Sequence, residues 1–251
     1  MSGHSKWSKI KHQKGVDDVK RGNLFTKLTR EMIIAAKEGG GNPDTNFRLR
    51  LAIQKARDSN MPMENIDRAI QKGTGTAEGG ALEEMTLEGY GPSGMAILVS
   101  ALTDNHNRTV QEVRSTFTRH GGSLGSSGCV AWIFESRGVI NINAENVDAD
   151  ELALNAIDAG AEDILTEAGT VEVYTKPDML FKVRTALEAK KIKIESGELQ
   201  MVPKTLVKLD EKAATQALKL LDKLEELDDV QNVYSNADIP DNILAAIQAA
   251  S

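Results

Sequence analysis

Basic side chains dominate the first 30 residues, where the acidic residues are Asp17 and Asp18 alone. Lysine and arginine bind phosphate groups, and an aromatic ring among them, here that of Trp7, can stack on a nucleobase. We therefore predict that this segment binds nucleic acid. The candidate binding residues are Lys6, Trp7, Lys9, Lys11, Lys14, Lys20, Arg21, Lys27 and Arg30.

The charge of the chain is divided unequally between its two parts. Residues 1–75 carry 15 Lys and Arg against 8 Asp and Glu, a net charge of +7, whereas residues 76–251 carry 15 against 29, a net charge of −14. Alternatively, the basic N-terminal segment is a solvated tail that only aids solubility. However, a chain with a net charge of −7 needs no added positive charge to stay soluble. The division favours a DNA or RNA partner, whose base specificity cannot be read from phosphate contacts.

The residue types of common catalytic and metal sites are present but scattered. The histidines are His4, His12, His106 and His120, and Cys129 is the single cysteine, so the sequence has neither zinc-ligand spacing nor an intrachain disulfide. No pair of side chains has the arrangement expected for acid–base catalysis. We predict no catalytic residue, no metal ligand and no cofactor, and hence a protein that is not an enzyme and has no small-molecule substrate.

Other clusters leave alternatives open. Arg108, Arg114 and Arg119 on a predicted helix could contact a polyanion or form an ordinary exposed face. The glycine-rich stretch 121–128 could cradle a phosphate with its N–H groups, but it lacks the Lys-Ser/Thr ending of a P-loop and favours a simple helix-to-strand loop. An acidic cluster near a helix end could bind Mg²⁺ or a basic protein, although a solvated face is the default; it comprises Glu225, Glu226, Asp228 and Asp229.

The elements that would position these residues begin with a basic arm and a small helical bundle in residues 1–80. Apolar residues recur at helical spacing in residues 18–38, and a run of three glycines ends that helix. A second helix follows Pro43, and its apolar face consists of Leu49, Ala52, Ile53 and Ala56. A third opens at Pro62 and ends at Gly73, the usual order of helix-starting proline and helix-ending glycine.

Beyond a glycine-rich linker, strand-like and helix-like segments alternate. Residues 138–203 follow the order β-α-β-β-α-β of a ferredoxin-like domain. The segments on either side supply β-β-α-β, ending in a buried strand at Cys129–Phe134, and β-α-β. We predict an α+β multidomain chain with two ferredoxin-like α/β domains, one inserted in the other: residues 81–137 plus 204–240, interrupted by 138–203. One continuous larger sheet is the alternative.

The composition also bears on location. No stretch approaches the roughly 18 apolar residues of a membrane helix, and no apolar segment follows the N-terminal charges as in a secretory signal. A single cysteine suits a reducing compartment. We expect a cytoplasmic protein without a membrane partner.

Several motifs together resemble the YebC/PmpR family. They are the opening Ser-Gly-His-Ser-Lys-Trp, Lys-Arg-Gly with Phe-Thr-Lys at 20–27, Glu-Gly-Tyr-Gly-Pro at 88–92, Asp-Asn-His-Asn-Arg-Thr at 104–109, Gly-Gly-Ser-Leu-Gly at 121–125 and Gly-Ala-Glu-Asp at 160–163. The resemblance implies a helical N-terminal bundle and two α/β domains, one inserted in the other, in a cytoplasmic, non-enzymatic protein. Members are labelled probable DNA-binding transcriptional regulators, and some relatives are described as translation activators at the ribosome.

DNA and ribosomal RNA both remain possible partners at this point. A DNA regulator usually presents a recognition helix with Arg, Asn or Gln directed at base edges, and none stands out in the sequence. A basic arm on an acidic body suits a folded RNA surface such as that of the ribosome, because acidic domains are repelled from neighbouring phosphates. We expect a nucleic-acid-binding regulator of gene expression, a transcriptional one by the family label, with a ribosome-associated translation factor as the alternative.

Overall fold

The computed structural model describes residues 18–75, 82–143, 148–167 and 169–249. The predicted binding residues Lys6, Trp7, Lys9, Lys11 and Lys14 lie outside the described residues. Among the described residues, no helix is both long and apolar enough to cross a membrane.

The N-terminal helices form the predicted bundle. They are α1 (Asp18–Gly39), α2 (Phe47–Asp58) and α3 (Met63–Thr74), and their apolar faces share one core. The second helix begins after Asn46, whose buried amide accepts the N–H of Leu49 at 3.0 Å and donates to the carbonyl oxygens of Ala35 and Gly40 at 2.7 Å. This one side chain caps α2 and also satisfies carbonyl groups at the end of α1.

Helices α1 and α3 approach each other closely at Gly73. A β-carbon added at this position would lie 2.5 Å from the carbonyl oxygen of Ile33, so only glycine fits the contact. The glycine that we predicted as the end of a helix therefore serves packing between helices as well.

Strands and helices alternate through the rest of the chain, as the sequence predicted. In chain order they are β1 (Glu83–Tyr90), β2 (Ala96–Thr103), α4 (His106–Arg119), β3 (Ser123–Leu124), β4 (Phe134–Asn143), α5 (Ala149–Ala159), β5 (Asp163–Glu167), β6 (Thr170–Thr175), α6 (Leu180–Ala189), β7 (Ile194–Pro203), β8 (Val207–Lys208), α7 (Glu211–Glu225), β9 (Val230–Ser235), β10 (Ala237–Asp238) and α8 (Asp241–Ala249).

The first sheet has the order β3-β1-β2-β9, with antiparallel neighbours throughout. Its β1–β2 hairpin is central, and the strands that follow α4 and α7 flank it. Both helices pack on one face, where Phe117 and Leu221 belong to the same core as Val99. The predicted fold class, a mixed chain with an N-terminal helical region and antiparallel sheets, is confirmed. The strand order of this sheet is not ferredoxin-like, because the two strands of the β1–β2 hairpin lie next to each other at its centre.

The second sheet has the order β5-β6-β4-β7, again with antiparallel neighbours. This is the ferredoxin-like order, and α5 and α6 contribute Leu152 and Leu187 to the core on one face. All of its strands come from one stretch of chain, 134–203, which lies between the two parts of the first sheet. Strand β4 starts four residues before the predicted boundary at 138.

The predicted strand Cys129–Phe134 is wrong. A short 3₁₀ turn occupies Ala131–Ile133, and the strand starts only at Phe134. The reason is that the carboxylate of Glu88 accepts the backbone N–H groups of Val130 and Ala131, at 2.7 and 2.8 Å, so these groups cannot pair in a sheet. The turn leaves the side chain of Trp132 67% exposed.

The helical bundle also contacts the second sheet and its helices. The ammonium group of Lys55 on α2 lies 2.6 Å from a carboxylate oxygen of Glu198, and the guanidinium of Arg184, almost fully buried on α6, lies 3.1 Å from the carboxylate of Asp58. Burial acts to lower the pKa of Lys55, but the carboxylates of Glu198 and Glu31 raise it, so this ammonium group stays charged. These ion pairs connect the bundle to the inserted stretch of chain.

The geometry of the chain ends at 134 and 203 gives a test of modularity. Lys204 donates its backbone N–H to the carbonyl oxygen of Ile133 at 2.8 Å, so a short linker can replace everything between them. We expect the chain with residues 134–203 replaced by a Gly-Ser linker to unfold cooperatively in circular dichroism, at a lower temperature because the core cluster that contains Leu98 and Val130 loses Phe134.

The control is the same linker inserted between Ile133 and Phe134 without any deletion. If the deleted chain is insoluble or melts without a cooperative transition while the control folds, the two sheets form one folding unit and the modular account is wrong.

Candidate nucleic-acid interface

Helix α1 carries the predicted binding residues that lie in the described part of the chain. Lys20 and Arg21 belong to its first turns. Farther along, the ammonium group of Lys27 donates to the carbonyl oxygen of Glu225 at 2.6 Å, and Arg30 donates to the carbonyl oxygen of Asp228 at 2.7 Å. These two cations thus lie against the C-terminal end of α7, where helix carbonyl groups favour positive charge. Their contact with nucleic acid stays a prediction.

The carboxylate of Asp229 connects α1 to the first sheet. It accepts hydrogen bonds from Arg30 at 3.0 Å, from Arg108 and Thr109 of α4 at 2.7 Å, and from Thr103 at the end of β2 at 3.2 Å. Asp229 itself is 3% exposed. The sequence analysis treated Asp229 as one residue of a solvated acidic cluster. The structure shows instead that Asp229 is an internal hydrogen-bond acceptor.

The same environment determines the ionisation of Asp229. Burial acts to raise the pKa of a carboxyl group, but the hydrogen bonds and charge of Arg108, together with the hydroxyl of Thr109, hold the pKa of Asp229 below its usual range. The carboxylate is charged at neutral pH, and two guanidinium groups balance that charge.

Helix α4 offers a partly exposed cationic face. Arg108 is committed to Asp229 and to Asp104, at 2.7 and 2.8 Å, whereas Arg114 and Arg119 lie exposed farther along the helix. Arg108 therefore stabilises the fold, whereas Arg114 and Arg119 remain accessible to a polyanion.

A groove of about 530 Å³ lies between α1 and α3. Its cationic lining residues are Arg30, Lys37 and Lys72, and the hydroxyls of Thr26 and Thr29 and the ring of Phe25 also face it. Cations with hydroxyl donors are the groups that contact phosphate and sugar oxygens.

Our sequence reasoning missed Lys37 and Lys72, which lie far apart in the chain. Their positions in the sequence could have identified them, because each lysine lies in the last turn of its helix. The close packing of α1 against α3 at Gly73 brings these two helix ends to the same groove.

The glycine-rich stretch 121–128 does not provide a vacant phosphate cradle. The carboxylate of Glu88 accepts the N–H groups of Gly128, Val130 and Ala131, at 2.6 to 2.8 Å. Burial raises the pKa of Glu88, but these donors lower it below its ordinary value, so an internal carboxylate fills the place that a phosphate would take. The interpretation as a loop is the better of the two alternatives.

Within the ranges described by the structure, no group of three or more His, Cys, Asp or Glu side chains is placed to hold a metal ion. The groove between α1 and α3 presents three cations and two hydroxyls, and its lining also includes Asp104, whose carboxylate is paired with Arg108. Chemically it can bind an extended anion.

Family profiles match nearly the whole chain. The profile described as "TACO1/YebC protein N-terminal domain" matches residues 5–76, and that described as "TACO1/YebC second and third domain" matches residues 82–237. The chain belongs to the TACO1/YebC family. The resemblance found in the sequence motifs is thereby confirmed.

Relatives and a solved structure agree with this assignment. The chain is similar to a "Probable transcriptional regulatory protein" of Dehalococcoides mccartyi strain BAV1, at 59% identity over 244 residues and 97% of each chain, and to one of Dictyoglomus turgidum, at 55% identity over 98% of this chain and 100% of the other. It is also similar to the crystal structure of a conserved hypothetical protein from Aquifex aeolicus, with a TM-score of 0.83 and 49% identity over 90% of this chain and 94% of that one. The family carries a regulatory label.

The buried carboxylate leads to a prediction about stability. We expect Asp229→Asn to lower the free energy of unfolding by about 2 kcal/mol at pH 7, because the charged hydrogen bonds to Arg108 and Arg30 are weakened. Since the folded pKa lies below the unfolded value of about 4, this contribution is present above pH 4 and is lost as the pH falls through the folded pKa.

Urea denaturation of both proteins between pH 7 and pH 2.5 measures the effect. The difference between them should shrink on acidification, with the exposed Asp67→Asn as a control that changes little at either pH. A difference that is independent of pH would show that the ionised carboxylate is not the stabilising group.

Proposed function

We propose that this protein is a non-enzymatic, cytoplasmic regulator of gene expression that binds nucleic acid through its basic N-terminal segment and the groove between α1 and α3. The observation that carries the proposal is the segregation of charge, with +7 on residues 1–75 and −14 on the rest. The groove supports it, because Lys37, Lys72 and Arg30 add cationic side chains of the folded bundle to those of the N-terminal sequence.

Folded RNA, and ribosomal RNA in particular, is the polymer that this arrangement suits best. An acidic body is repelled by phosphates within a Debye length of roughly 8 Å, so it cannot lie along an isolated duplex at low cost. In addition, Arg108 is paired with Asp229 and Asp104, which leaves less positive charge on α4 for a long phosphate backbone. A narrow basic arm can enter a folded RNA surface while the acidic part faces solvent or basic ribosomal proteins.

Duplex DNA is the second candidate. The relatives' label as probable transcriptional regulatory proteins favours it. So does the exposure of Arg114 and Arg119 on α4, which could direct cationic side chains toward a groove. In that case α4 would act as the reading helix, and the N-terminal arm would supply phosphate contacts.

Salt dependence tests the role of the arm. We expect simultaneous Lys9→Ala, Lys11→Ala and Lys14→Ala to weaken binding to single-stranded RNA and to flatten the plot of log affinity against log salt. The slope should fall by roughly 0.7 for each phosphate contact removed from a single strand, or 0.9 on a duplex. Fluorescence anisotropy of a labelled oligonucleotide measures both quantities.

The matched control changes three exposed lysines on the acidic part, Lys208, Lys212 and Lys219, to Ala. It alters the net charge by the same amount. If both variants change the slope equally, or neither does, the arm is a passive tail and the proposed binding region is incorrect.

A further inference from the structure

We propose that Tyr90 and Trp132 form an aromatic platform on which an unpaired nucleobase of the bound RNA stacks. The proposal rests on the proposed function and makes it more specific, since it requires a polymer with accessible base faces. Trp132 is 67% exposed and Tyr90 is 39% exposed, in a protein whose aromatic residues amount to only 4% of the chain. A single exposed ring is ordinary, but two exposed rings that share one hydrogen-bond acceptor form a patch, and such patches mark contact sites.

The two side chains are held side by side by one acceptor. The phenol hydroxyl of Tyr90 and the indole N–H of Trp132 both donate to the carbonyl oxygen of Cys129, each at 3.1 Å. Their polar atoms are therefore satisfied by the protein, while their rings remain exposed. A nucleobase meeting them needs only to supply a flat face.

Hydrogen bonds to the backbone on either side of Trp132 hold the platform in place. Glu88 binds the N–H groups of Gly128, Val130 and Ala131, and Val130 is fully buried. After the turn, the backbone of Lys204 donates to the carbonyl oxygen of Ile133 at 2.8 Å. Since little side-chain or loop freedom is left to lose, stacking on these rings carries a small entropic cost.

The surroundings of Trp132 suit a base with its attached phosphate. The ammonium group of Lys204 lies 3.3 Å from the carbonyl oxygen of Trp132 and has further N–H donors. It also lines an open groove of about 380 Å³, together with Leu206, Arg137 and two acidic residues. Of these acids, Glu135 is paired with Arg137, and Asp163 can accept hydrogen bonds from a base edge. Lys204 therefore links the two features, because its ammonium group lies beside Trp132 and also lines the groove that holds Asp163.

The platform lies at the opposite end of the first sheet from the basic groove. Tyr90 ends β1, whereas Glu83 begins it opposite Thr103, which binds Asp229 beside Arg30. At about 3.4 Å per residue, β1 separates the two ends by roughly 24 Å. A folded RNA can span this distance without laying its backbone along the acidic sheet. Contact at the platform is then limited to one unpaired base and the phosphate beside Lys204.

Tryptophan fluorescence tests the proposal directly. The chain has two tryptophans, so a Trp7→Phe protein reports on Trp132 alone. A 12-nucleotide single-stranded RNA should quench this emission saturably, whereas an abasic oligonucleotide with the same number of phosphates should bind without quenching. Anisotropy of labelled RNA is measured in parallel on the wild type and on each variant, so any effect of Trp7→Phe is measured and not assumed.

Substitutions at Trp132 in the full-length wild-type chain separate stacking from apolar contact. We expect Trp132→Ala and Trp132→Leu each to weaken RNA binding about tenfold, and Trp132→Phe to weaken it far less, because only Phe retains a π face. The salt dependence should not change, since no phosphate contact is removed. The side chain is exposed, so the thermal midpoint of each variant should match that of the wild type.

The outcomes distinguish the two proposals. If the wild type and the Trp132 variants bind RNA equally well, the platform does not bind a base. If those variants also lose a contact with another protein, the platform binds a protein partner instead. If Leu restores what Ala loses, the contact is apolar and the stacking proposal fails. If the wild type binds no nucleic acid at physiological salt, the proposed function fails, and with it the platform.

Discussion

The buried carboxylate of Asp229 is the interaction on which the arrangement of the chain depends. It joins Arg30 of the helical bundle, Arg108 and Thr109 of α4 and Thr103 of the first sheet at hydrogen-bond distance. An unpaired charge in this position would be costly, so the elements that supply its donors are held together. Together with the hydrogen bonds from Lys27 and Arg30 to the carbonyl oxygens of Glu225 and Asp228, this carboxylate fixes the position of the bundle relative to the first sheet.

A second buried carboxylate, that of Glu88, fixes the other end of the same hairpin. Its three backbone N–H donors determine the course of the loop that follows β3 and leave Trp132 on the surface. The β1–β2 hairpin therefore carries an internal anion at each end, with a cationic groove beside one and an aromatic platform beside the other. In our account these two surfaces contact different parts of one RNA.

Much of the fold could be predicted from the sequence, because it depends on local periodicity. The bundle helices follow from apolar spacing with proline and glycine at their ends, and the ferredoxin-like order of the second sheet follows from the sequence of strands and helices. The strand predicted at Cys129–Phe134 failed because an apolar run has the same appearance in a buried strand and in a turn whose N–H groups bind a distant carboxylate.

The candidate site could be predicted only in part. A cluster of lysines is visible in the sequence, but the groove formed by Lys37 and Lys72 depends on the packing of two helices. Likewise, Asp229 looked like one of several surface acids, because its partners Arg30 and Arg108 are distant in the chain. Ion pairs between distant residues leave no periodic pattern, so sequence reasoning could identify the charged residues but not which of them were committed to the fold.

The central claim is that this protein acts on RNA through its N-terminal region. Crosslinking of the protein in living cells, followed by sequencing of both the RNA and the DNA recovered with it, tests that claim most directly. Our account predicts crosslinks concentrated at discrete positions in ribosomal RNA, with DNA at background. Crosslinks concentrated at promoter DNA, with ribosomal RNA at background, would contradict the account and would support a transcriptional regulator.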